Sequence, residues 1–208
     1  MYTLNLISIA IATLFTTARA VPTPDPLIPG YTITDFVWEV ESYPGGPKAN
    51  VTGTAQDVAT HLSAVNPNWK TDFNISEALQ NHQESKQKKR DLSFPFTSIL
   101  CWVREDEWGF AFRLPLLTDI DFLNVVPGIP TMGPGPGACG RVACSDTAAV
   151  YWCNDETETF SLPSFATVAA GASAILDNCL DERLDIVNGQ VFAQFLQNWN
   201  TIVRSDTC

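Results

Sequence analysis

The side chains of this chain that could do chemistry are its six cysteines, its carboxylates and two histidines. Cys101, Cys139, Cys144, Cys153, Cys179 and Cys208 all lie in the second half, and the spacing Cys139-x4-Cys144-x8-Cys153 contains no CxxC pair. Neither a zinc ribbon nor a thioredoxin-type redox motif is supported, and the even number suits three disulfides in an oxidising compartment. His61 and His82 both precede Arg90, whereas the segment from Asp91 onward has five arginines, no lysine and no histidine. Such a segment cannot form Ser-His-Asp or Cys-His nucleophile systems, a lysine Schiff base or a His-ligated zinc site.

Carboxylates are then the remaining candidates, in the clusters Glu105-Asp106-Glu107, Asp155-Glu156-x-Glu158 and Asp181-Glu182. A glycosidase needs two of them about 5–10 Å apart across a sugar cleft, with aromatic platforms such as Trp102, Trp108, Trp152 or Trp199. Each cluster falls at an expected turn or strand end, where runs of charge are ordinarily solvated, and none has EF-hand spacing. Gly133-Pro134-Gly135-Pro136-Gly137 lacks the GK[ST] ending and precedes a strand pattern, so it reads as a structural loop and not as a phosphate cradle. The expectation is no catalytic residue, no metal site and no cofactor. The alternative is a small secreted carbohydrate-active enzyme or carbohydrate-binding module.

Twelve basic against 23 acidic residues give a net charge of -11, which opposes binding to nucleic acid phosphates or anionic membranes. With 45% hydrophobic and 17% charged residues, the chain has the composition of a folded protein and not of a disordered one. Leu6 to Phe15 is apolar but too short to span a bilayer, and Ala18-Arg19-Ala20 fits a signal-peptidase site. Residues 1-20 therefore read as a signal peptide, although the first five carry no Lys or Arg. No later run approaches the ~18 apolar residues of a membrane helix. Secretion to the extracellular space is expected, with no membrane span and a monomeric product.

Composition changes near residue 90. Residues 21-90 are rich in proline and turn signals, hold no cysteine, and close on the polar, basic run Gln83 to Arg90. That run has nothing to bury and is expected to be an exposed linker. Lys89-Arg90 resembles the dibasic site of kexin-type processing proteases, which makes 21-90 a pro-segment and 91-208 the mature domain. Both sequons, Asn50-Val51-Thr52 and Asn74-Ile75-Ser76, fall on the pro-segment. Ile33, Phe36, Trp38 and Val40, with a helix pattern from Asp57 to Leu62, give that segment enough apolar character to dock on the mature domain.

The elements that must position these groups follow from periodicity. Phe94 to Val103 reads as a strand, with Trp108 to Phe112 as its hairpin partner. Thr118 begins a helix carrying Ile120, Leu123 and Val126, which Pro127-Gly128 ends. Gly140 to Cys144 and Ala149 to Cys153 form a hairpin across Ser145-Asp146-Thr147-Ala148. From Pro163, the positions Phe165, Val168, Ala169, Ala172, Ile175, Leu176 and Cys179 form one helical stripe. Cys179 thus points inward, and a partner on the sheet beneath is expected, Cys144 or Cys153 foremost. Asn188-Gly189 signals a turn, and Gln190 to Phe195 and Asn200 to Arg204 are the last strands. The order β-α-β-β-α-β-β predicts an α+β sandwich, an antiparallel sheet with two helices on one face, stapled by disulfides.

The string GPGPGACGRVACSDTAAVYWCND from Gly133 to Asp155, the alanine-rich helix ending in Cys179, Gly189-Gln190-Val191-Phe192, and the ending from Asn198 to Cys208 carry a resemblance. Together they are similar to the fungal secreted necrosis-inducing effector family, the homologues of extracellular protein two. The resemblance spans roughly Cys101 to Cys208 with all six cysteines. It implies a secreted fungal effector without known enzymatic chemistry, in some members a virulence factor that provokes plant cell death. Its partner would be a host or competitor target, a protein or cell-surface component. It also implies kinship with the killer-toxin-four type α/β sandwich, in agreement with the derived order. Those toxins are basic and linked to calcium-channel block, whereas this domain is acidic and lysine-free.

Overall fold

The alanine-rich stripe forms a helix, α6 (Phe165–Cys179), with Phe165, Val168, Ala169, Ala172, Ile175 and Cys179 buried, as 3.6-residue periodicity requires. Pro163 precedes its N-cap, Ser164. The computed structural model describes residues 28–88, 96–193 and 198–208. The expected signal peptide, Lys89-Arg90 and the end of the strand expected at Phe195 lie outside the described residues.

The helix lies on a six-stranded sheet. Its strands are β1 (Thr32–Ile33), β4 (Phe96–Cys101), β7 (Ala138–Ser145), β8 (Ala148–Asn154), β11 (Gly189–Ala193) and β12 (Trp199–Ser205), in the order β1-β7-β8-β12-β11-β4. Neighbours from β7 to β4 are antiparallel, and β1 joins β7 in parallel. The α+β sandwich with an antiparallel sheet is thus realised, extended at one edge by a strand from the N-terminal segment. The β7–β8 hairpin closes through Asp146, whose φ of 52° is a left-handed conformation that short polar side chains tolerate.

Three local expectations are corrected. Trp108 to Phe112 does not pair with β4, whose sheet neighbour is β11. Instead Glu105–Trp108 forms a one-turn helix, α4, with its three carboxylates in the positive first turn, and β5 (Ala111–Phe112) pairs with β10 (Ile186–Val187). The next helix, α5 (Arg113–Val125), begins five residues before Thr118. Pro115 is tolerated in its first turn because N–H groups there have no intrahelical partner, and Thr118 bonds back to the Leu114 carbonyl at 3.2 Å. Asn188-Gly189 is no tight turn. Asn188 is buried between β10 and β11, and its amide binds the Val103 and Gly109 carbonyls at 3.1 and 2.8 Å.

The N-terminal segment is folded and packed against the rest. Its hairpin β2 (Val37–Glu41) and β3 (Lys48–Thr52) leads into α1 (Ala55–Val65), α2 (Trp69–Asp72) and α3 (Ile75–Lys88). Helix therefore continues to Lys88, through much of the run expected to be an exposed linker, of which Gln83 and Glu84 are indeed exposed. α3 packs against α5, and α1 packs on β7 and reaches α5 through Gln56 and Asp119, so the two expected helices became part of a wider layer over the same core. Trp38 is fully buried, with its ring 3.7 Å from that of Phe165 and nearly parallel to it. Both sequon asparagines, Asn50 and Asn74, are exposed.

Short strands β6 (Thr131–Met132) and β9 (Phe160–Ser161) pair below the Gly-rich loop. Gly135 and Gly137 donate to the Glu156 and Asn154 carbonyls, tying that loop to the end of β8. A Cβ at Gly135 would stand 2.3 Å from the Asn154 carbonyl oxygen, so the close approach itself demands glycine.

All six cysteines are paired, as Cys101–Cys179, Cys139–Cys153 and Cys144–Cys208. Cys179 does face the sheet, but its partner is Cys101 on the edge strand β4 and not Cys144 or Cys153. On β8, Val150 and Trp152 face the helices, which turns Cys153 to the opposite face, where it meets Cys139 directly across the hairpin.

Candidate functional site

Each carboxylate cluster is committed to local structure. Glu107 holds Arg104 by two bonds of 2.7 and 2.9 Å on the exposed α4, an arrangement that lowers the Glu107 carboxyl from its usual range. Asp181 Oδ1 accepts the backbone N–H groups of Arg183 and Leu184. Glu156 accepts the Asn198 N–H at 3.0 Å, and Asp155 accepts the Asn200 side-chain amide at 2.7 Å. Among the described residues no group of three His, Cys, Asp or Glu side chains could hold a metal ion.

The polar groups that the fold does bring together lie along the junction between the N-terminal segment and the sheet. On the sheet face opposite the helices, Asn200 and Gln190 project from neighbouring positions of β12 and β11. Their amides both donate to the Tyr31 hydroxyl at 3.0 Å, and Gln190 also donates to Asn200 Oδ1 at 3.0 Å. Burial raises the Asp155 carboxyl, while burial and the nearby Asp155 charge raise the Tyr31 phenol.

On the helix side, Gln56 of α1 places its amide nitrogen 2.6 Å from Asp119 Oδ1 and 3.0 Å from Ser145 Oγ. Gln56 Oε1 accepts the Cys144 N–H at 3.2 Å, and Ser145 Oγ donates to Asp119 Oδ1 at 2.6 Å. Asp119 is 1% exposed, and its Oδ2 has no hydrogen-bond partner among the described residues. Burial pushes its carboxyl up to about 6 against the pull of the bonds from Ser145 and Gln56.

A shallow cleft of about 260 Å³ is lined by Ile33, Asp35, Phe36 and Asp57 of the N-terminal segment and by Arg141, Tyr151 and Asp206. Asp206 is engaged by Arg141 at 3.1 Å and by the Tyr151 hydroxyl, and Asp57 closes the capping box of α1 by accepting the Thr54 N–H at 2.7 Å. Burial, then the Asp206 carboxylate, raise the Tyr151 phenol well above its ordinary value. Arg141, Tyr151 and Asp206 thus hold one another, while Asp57 is committed to the start of α1.

Sequence reasoning did not single out Asp119, Gln56, Asn200 or Gln190, whose one visible signal is a polar residue at a position the helical or strand pattern assigns to the interior. Trp152 and Trp199, considered as aromatic platforms, are 0% and 1% exposed and belong to the core. The exposed apolar side chains of the C-terminal part instead include Phe112, Leu114 and Leu184, at 52%, 70% and 50% exposure, around the β5–β10 ribbon. No helix among the described residues is long and apolar enough to cross a membrane. Comparison of the chain with protein-family models, with curated proteins and with solved structures returned no match.

Proposed function

We propose that this protein is a secreted fungal effector or toxin-like protein that acts by binding and not by catalysis. The observation that carries the reading is the disulfide framework. All three bonds lie within residues 101–208, the span of the effector-family resemblance, and cross-link both sheet faces of a small domain. The commitment of Asp155, Glu156, Asp181 and Glu107 to structural bonds supports binding over glycoside hydrolysis. On this reading the signal peptide is removed near Ala20 and the chain is cut after Arg90. Residues 91–208 then meet a host or competitor target.

The test is infiltration of the purified, processed protein into plant tissue and its addition to fungal and bacterial cultures, beside a polysaccharide-release assay. Cell death or growth arrest without sugar release is the expected result. Sugar release that disappears in a folded Asp155→Asn, Glu156→Gln variant would overturn the reading. Intact mass of the protein from culture filtrate checks the processing, and a sole N-terminus at Val21 would contradict the second cut.

A further inference from the structure

The N-terminal segment grips the sheet edge from both sides. Ile28 and Tyr31 cover the face opposite the helices, where Ile28 packs with Cys139, Tyr151 and Ile202. The chain then runs alongside β7, with Thr32 and Thr34 N–H groups donating to the Gly137 and Cys139 carbonyls at 2.7 and 2.8 Å. Past the edge, Phe36 and Trp38 turn onto the helix face, where Phe36 packs edge-on against Trp152 and Phe165 and Trp38 stacks on Phe165. Gly140 makes room for this. A Cβ there would stand 2.8 Å from both Phe36 and Met132.

This is the pattern of strand addition, in which main-chain bonds supply register and side-chain pockets supply specificity. The occupant carries no cysteine, and every disulfide lies beyond residue 100, so only non-covalent contacts and the connecting chain hold it. We infer that residues 96–208 carry a binding surface for an extended polypeptide segment of the pattern aromatic-x4-aromatic-x-aromatic, and that Tyr31, Phe36 and Trp38 are its built-in occupant. The polar notch of Gln190 and Asn200 reads the first aromatic hydroxyl, the open edge of β7 reads the backbone, and the Phe165–Trp152 floor takes the other two rings. A cut at the Lys89-Arg90 pair leaves the segment seated. This inference does not depend on effector activity.

The experiment uses the full chain with a site-specific protease sequence inserted between Arg90 and Asp91, so that cutting is assured. After cutting, the two pieces are expected to co-elute on a native sizing column without any disulfide between them. Unlabelled and nitrogen-15-labelled cut proteins are then mixed, dissociated in urea with disulfides intact, and returned to buffer. Native mass spectrometry is expected to find hybrid pairs, which proves capture of the segment in trans. A Gly140→Val variant, checked for its three disulfides, should retain the segment about tenfold more weakly or worse because the added methyls fill the Phe36 seat. Pieces that separate in native buffer, the absence of hybrid pairs, or undiminished retention by Gly140→Val would each overturn the inference.

Discussion

Gln56 of α1 and the buried Asp119 of α5, separated by 63 positions in the chain, meet side chain to side chain at 2.6 Å. The bond joins the N-terminal segment to the layer of helices, and it holds a carboxyl group that burial raises to about 6.

Stability should therefore depend on pH through Asp119. Its carboxyl is raised from 3.8 to about 6, so the folded chain binds more protons than the unfolded chain between those values. The contribution is fully present below pH 3.8 and is lost as pH rises to about 6, amounting to about 3 kcal/mol in total. Urea unfolding at pH 4 and pH 7 should show this loss in the wild type. Asp119→Asn should remove it, and an unchanged difference between the two pH values in that variant would contradict the assignment.

Non-reducing peptide mapping should recover Cys101–Cys179, Cys139–Cys153 and Cys144–Cys208, with no free thiol. The first of these ties edge strand β4 to α6 across 78 positions, and replacing both of its cysteines by serine should cost about 2–5 kcal/mol. A peptide joining Cys179 to Cys144 or Cys153 would refute the strand order at that edge.

Gly171 sits inside α6, where alanine would ordinarily add about 1 kcal/mol through helix propensity. Here a Cβ would stand 2.5 Å from Thr201 Oγ1 and 2.8 Å from its Cβ, since the helix lies directly on β12. Overpacking at about 1–3 kcal/mol should win, so Gly171→Ala should lower the urea midpoint. A stabilised variant would show that the helix can lift off the sheet without loss.

Trp38→Ala should be the most damaging single change in the N-terminal segment, at about 3–5 kcal/mol. It deletes a fully buried ring stacked on Phe165 and a bond from Nε1 to the Gly53 carbonyl at 2.8 Å. Thermal unfolding of the uncut chain measures it. A loss below about 1 kcal/mol would mean that the segment is a loose appendage, contrary to its burial.

The local elements of this protein were legible in its sequence wherever one period repeated without interruption. The α6 stripe, the β7–β8 hairpin and the paired state of the cysteines follow from spacing alone, because each rests on neighbours within a few residues or on parity. Which cysteine meets Cys179 was decided by strand order, since β4 reaches the sheet edge only by pairing with β11, Ile99 opposite Val191. Likewise the run from Gln83 to Lys88 looked unable to order itself, yet its helix continues one whose Ile75 is buried in the shared core. The polar seam was the least visible part. Asn200 and Asp155 are 45 positions apart, and Gln190 and Tyr31 are 159 apart. A hydrogen bond between distant residues leaves no periodic trace in the chain, so composition and pattern determined which segments fold and which faces they bury. Only the tertiary structure decided which buried polar groups meet.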